Sequence, residues 1–144
     1  MKLTAFKLAI QTAAMAVTGV ETFMFGTLAD INESDTMEYD LFLLLYPSLT
    51  GKPYTRGYKQ KNYQIVIYLF RKFDHTEADR ESRLATGFEE LQTEIDSFIT
   101  NLIADNTPDN IAIIDLNYDY DYGKIGSEVL QWVELKTNFL VNDC

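Results

Sequence analysis

From Leu84 to Ile103 the chain carries one continuous apolar stripe. Leu84, Phe88, Leu91, Ile95, Phe98, Ile99 and Leu102 recur in steps of three and four, the spacing of one face of an α-helix. Glu89, Glu90, Gln92, Thr93, Glu94, Asp96 and Asn101 occupy the opposite face. A helix so clearly two-sided must lie on an apolar surface. The large apolar runs on offer are β-like: Tyr39 to Tyr46 and Tyr63 to Phe73 before it, Ile111 to Val141 after it. The pattern predicts an α+β fold, an antiparallel sheet of about four strands covered by an N-terminal helix and this long central helix.

The N-terminal helix rests on Leu3, Phe6, Ile10, Ala13, Ala14 and Val17, again at helical spacing, with Gly19 as its stop. Lys2 and Lys7 before an alanine-rich run and Ala14-Met15-Ala16 also imitate a secretory leader. The run is short and broken by Gln11 and Thr12, so the amphipathic helix is the reading adopted. No apolar run reaches the ~20 residues that span a bilayer, and no membrane partner is expected. At 144 residues with 47% hydrophobic content, residues 1–144 read as a single domain with enough material for a core. The lone Cys144 permits no internal disulfide.

Between the helices, Val20 to Phe25 reads as a short strand or tight extension. Tyr39 to Tyr46, apolar on both faces, reads as a central strand ended by Pro47. Residues 47–62 follow as an extended arm, longer than an ordinary hairpin loop, with Pro47, Gly51, Pro53 and Gly57 as breakers. Its charge stands out. Between Asp40 and Asp74 there is no acid, yet Lys52, Arg56, Lys59, Lys61, Arg71 and Lys72 supply six of the twelve bases. The segment carries +6, so against a net −10 the remainder carries −16. Such a balance argues against the whole surface serving as a nucleic-acid or anionic-membrane platform. Asp74 or Thr76, the latter with Asp79 three residues on, would cap the central helix, and Thr86 with Glu89 repeats the pattern, so the sequence lets the helix begin at Thr76 with an interruption near Gly87. Asn106, Thr107 and Pro108 stop it.

Three constellations could carry chemistry. Asp115, Asn117, Asp119 and Asp121 alternate through a strand whose other face holds Tyr118, Tyr120 and Tyr122. A calcium loop counted from Asp115 would need glycine and glutamate where Tyr120 and Gly126 stand, so a solvated acidic strand face is the expectation. Second, Glu134-Leu135-Lys136, with Asp119 or Asp121 upstream, resembles the D…(D/E)xK signature of metal-dependent nucleases, in which acids hold a divalent ion and the lysine stabilises charge. Third, Tyr54, Tyr58 and Tyr63 interleave with Lys52, Arg56, Lys59 and Lys61 along the arm, residue types that suit either single-stranded nucleic acid or an acidic protein surface. The acidic remainder favours the protein surface. His75 is the only histidine, no glycine elbow surrounds any serine, and no phosphate-binding glycine loop occurs, so no catalytic residue, metal or cofactor is expected.

The order of elements resembles the tail-terminator, tail-completion and neck-ring proteins of tailed bacteriophages. The likeness runs from the first helix through Phe25-Gly26 to the Tyr39 strand, then an arm, the strand Tyr63-Gln64-Ile65-Val66-Ile67-Tyr68-Leu69-Phe70, a helix with Phe88-Glu89-Glu90-Leu91, and a terminal hairpin around Gly123. The resemblance implies a non-enzymatic virion protein in the neck or tail, assembled in the host cytoplasm as a homo-oligomeric ring. It also implies neighbouring neck and tail proteins as partners and DNA passing through the lumen without sequence-specific binding. The alternative class is a nucleic-acid-binding or nuclease domain using Asp119, Asp121, Glu134 and Lys136.

Overall fold

A computed structural model describes residues 3–26, 41–45, 48–51, 60–73, 80–105, 111–125 and 128–142. Helix α1 (Leu3–Met15) buries Phe6, Ile10, Ala13 and Ala14, the stripe expected from the sequence. It ends as its spacing predicts. Ala16 and Val17 donate back to the last-turn carbonyls of Thr12 and Ala14, and Val20 closes on Val17. Gly19 turns the chain at φ 100°, a conformation that a side chain disfavours and glycine adopts freely.

Strands β1 (Thr22–Gly26), β2 (Leu41–Leu45), β3 (Ser48–Gly51), β4 (Gln60–Lys72), β5 (Ile111–Ile125) and β6 (Glu128–Asn142) form one six-stranded sheet. Its order is β1-β2-β4-β6-β5, with β3 also paired to β4. The α+β class holds, with more strands than the sequence suggests and with one parallel pair, β1 beside β2. That pair was not legible because parallel and antiparallel neighbours demand the same apolar residues. Strand β4 is the spine: thirteen residues long, it takes β6 along one side and β2 then β3 along the other. Leu44 faces Ile67 and Ser48 faces Gln64, so four steps on one side match three on the other. One residue is therefore extra beside β4 between Leu44 and Ser48. The arm expected at 47–62 is accordingly corrected at both ends: 48–51 and 60–62 are paired strand.

Helix α2 (Arg80–Asp105) is continuous through Gly87, which corrects the expected interruption. Gly87 is buried, and a Cβ there would collide with the carboxamide of Gln131 on β6. The glycine serves close approach of helix to sheet rather than a break. The proposed start at Thr76 lies outside the described residues. Leu91, Ile95, Phe98 and Leu102 are fully buried, and Leu84, Phe88 and Ile99 flank them.

Both helices lie on the same face of the sheet. Phe6 of α1 stacks on Tyr63 and meets Phe139 edge-on, while Phe98 of α2 packs on Phe42 at 4.8 Å between ring centroids. The core fills from these rings together with Ile65, Ile67, Leu69, Val133 and Leu135. Each such side chain, fully buried, contributes about 1.5–3 kcal/mol. Asn101 bridges the helices by donating to the Ala13 carbonyl. Among the described residues no helix is long and apolar enough to cross a membrane.

Candidate functional site

Strand alternation fixes what each face carries. On β5, Tyr118, Tyr120 and Tyr122 turn toward the helix side, where Tyr118 donates to Asp96, Tyr120 meets Phe88 edge-on and Tyr122 meets Phe73. Burial, with the charge and hydrogen bond of Asp96 adding to it, pushes the Tyr118 hydroxyl up to about 12, and burial raises Tyr120 as well. The acids of β5 therefore occupy the other face. No described helix covers that face.

Register assembles a defined surface there. Asp115 stands beside Asn138, Asn117 beside Lys136, Asp119 beside Glu134 and Asp121 beside Trp132. The next strand adds Gln64, Val66, Tyr68 and Phe70 opposite the same β6 residues. Asp115, Asn117, Asp119 and Asp121 are all exposed. At the Asp121 end the face is apolar: Phe70 and Leu130 are fully buried among Met24, Tyr68, Ile125 and Trp132. At the Asp115 end it is polar, with a shallow depression of about 250 Å³ bordered by Gln64, Val66, Asp115, Asn117, Lys136 and Asn138.

Glu134 sits between the two ends and is largely buried, its side chain 17% exposed. The Tyr68 hydroxyl donates to one carboxylate oxygen, and the Lys136 ammonium lies 3.2 Å from the other. Burial first, and this carboxylate second, raises the Tyr68 hydroxyl above its ordinary range. Asp119, Glu134 and Lys136 are thus brought together, as the nuclease-like spacing requires. Asp121 stands two pairs further along, opposite Trp132. Both oxygens of Glu134 are already engaged by protein groups, and among the described residues no three His, Cys, Asp or Glu side chains could hold a metal ion.

Of the basic arm, Lys52, Tyr54, Arg56, Tyr58 and Lys59 lie outside the described residues. Lys61 is placed by its backbone: it pairs with Gly51 on one side and Val141 on the other, at the end of the sheet from which the arm departs. Asp115, Asp119 and Asp121 therefore belong to the far strand, and β6 and β4 separate them from β3. Sequence reading missed Tyr68, Trp132 and Asn138 as members of the acidic face. Their alternation in β4 and β6 was visible, but only strand register shows which acid each one meets. A second cleft, of about 580 Å³, opens on the helix side between Arg71, Lys72, Ser82, Arg83, Thr86 and Glu90. Arg71 donates to Glu90 inside it.

Compared with known proteins, the chain matches no protein-family model and shows sequence similarity to no curated protein.

Proposed function

We propose that this chain is a non-enzymatic structural subunit of a tailed-phage virion, a head–tail connector or tail terminator that assembles as a ring in the neck or tail. The observation that carries the reading is the separation of unlike charge across one copy. Four of the six bases of the acid-free stretch fall within residues 52–61, which lead into β4, whereas the exposed acids Asp115, Asp119 and Asp121 occupy the edge strand β5 and Arg71, near the far end of β4, is paired with Glu90. A surface of one sign at one place and of the opposite sign elsewhere suits head-to-tail contact between identical subunits, which closes into a ring when the rotation permits. The acidic remainder would also repel phosphates and let DNA pass without sticking. The resemblance of the element order to connector and terminator proteins supports a role in the neck or tail. Quantitative mass spectrometry of purified phage particles tests the reading. A fixed copy number of about six or twelve per particle is expected for a closed ring, and absence from intact particles overturns it.

A second reading has one specific observation in its favour. Asp119 faces Glu134 in register with Lys136 beside it, the residue types of the D…(D/E)xK pattern, with the Glu134 carboxylate held by Tyr68 and Lys136. Glu134→Ala separates the two: a nuclease loses metal-dependent cleavage, whereas a ring subunit still assembles.

A further inference from the structure

We infer that the exposed acidic part of the face of β5 and β6 turned away from the helices, centred on Asp119 and Asp121, is the dock for the basic arm, residues 52–61, of a second copy of this chain. The inference rests on the ring reading above and names the two surfaces that meet. Complementary charge is the first argument. The face presents Asp115, Asp119 and Asp121, all exposed, and its Lys136 is paired with Glu134. The arm presents Lys52, Arg56, Lys59 and Lys61 without an acid.

Reach is the second argument, and it selects the occupant. The arm leaves the sheet where Gly51 pairs with Lys61, and eight residues, 52–59, must go out and come back. At the ~3.6 Å per residue of a fully extended chain, its tip reaches about 16 Å from that point. Asp119 is level with Glu134 and Tyr68, seven residues further along β4 than Lys61. At ~3.4 Å per residue this is about 24 Å along the strands, with two inter-strand spacings of ~4.8 Å still to cross. Asp121 is farther by two residues. A copy's own arm reaches Asp115, and an outstretched side chain at its tip approaches Asp119, but Asp121 lies beyond it. A neighbour's arm faces no such limit. Because the arm and the dock are different patches at opposite ends of the sheet, the contact is heterologous, the kind that propagates from copy to copy until it closes.

Two charge-reversed full-length chains test this. In the first, Lys52, Arg56, Lys59 and Lys61 are changed to glutamate; in the second, Asp119→Lys and Asp121→Lys. Sedimentation velocity at low ionic strength reads the oligomer. The wild-type chain is expected to assemble. Each variant alone should need at least about tenfold more protein to do so, since like charges then meet at every contact. An equimolar mixture should assemble again, because each arm finds a dock of opposite sign on the other chain. Asp119→Asn with Asp121→Asn, a milder change, should weaken assembly in the same direction, and circular dichroism confirms that each variant keeps its fold. If the arm variant fails to assemble but the Asp119 and Asp121 variants assemble as wild type, or if mixing restores nothing, the dock is overturned and the ring reading survives. A wild-type chain that stays monomeric at every concentration overturns the ring reading itself.

Discussion

Gly87 shows how one residue sets the distance between helix and sheet. A glycine inside a helix costs about 1 kcal/mol against alanine, so its presence at a buried position needs a gain elsewhere. That gain is Gln131, 3% exposed, whose carboxamide fills the space a Cβ would take and donates to the Leu84 carbonyl at 3.2 Å. Gly87→Ala is expected to destabilise the protein by roughly 1–2 kcal/mol despite the better helix propensity, because Gln131 must move and leave a buried partner unpaired. Pairing it with Gln131→Ala should recover most of the loss in a urea titration. Tyr118 makes a second residue-scale prediction. Its hydroxyl is pushed from 10.0 to about 12, so the folded state holds that proton more tightly than the unfolded chain does. Stability from this group is complete below pH 10 and falls as pH rises through the folded value. Thermal melts between these limits should decline less steeply in Tyr118→Phe than in wild type.

Helix α2 shows at the scale of an element how far periodicity carries. Its stripe was legible because burial of one face repeats every 3.6 residues, and the fully buried positions are those on the line from Leu91 to Leu102. Ile103, at the margin of that stripe, is 46% exposed. Phe98→Ala, which empties a site packed on Phe42, should cost about 3–5 kcal/mol by denaturant unfolding, whereas Ile103→Ala should cost less than about 0.5. The alternation of β5 was equally legible, tyrosines to the helices and acids to the other face. Less so was its length: the strand runs from Ile111 to Ile125, with a register irregularity between Ile113 and Asp115 that strict alternation does not foretell.

For the whole molecule, the separation of charge is what the ring reading depends on. Contacts between exposed ions weaken once the screening length falls to a few ångströms, so assembly should be weaker at about 1 M salt than at about 0.05 M. Sedimentation at both concentrations checks this. An assembly indifferent to salt would point instead to the apolar end of the same face, around Trp132 and Ile125.

The sequence by itself determined the α+β class, the two amphipathic helices, the two faces of β5 and the segregation of charge. All of these are local, written in the order of residues a few positions apart. Only the tertiary structure decided that β1 runs parallel to β2, that 48–51 and 60–62 pair as strands, and that Gly87 is a point of contact with the sheet. It also decided that Asp119 meets Glu134 and that Glu134 is held by Tyr68 and Lys136. These facts depend on which strand lies beside which and in what register. Partners of that kind are set by how a whole apolar surface is buried at once, and an apolar residue looks the same in the sequence whichever neighbour it will bury.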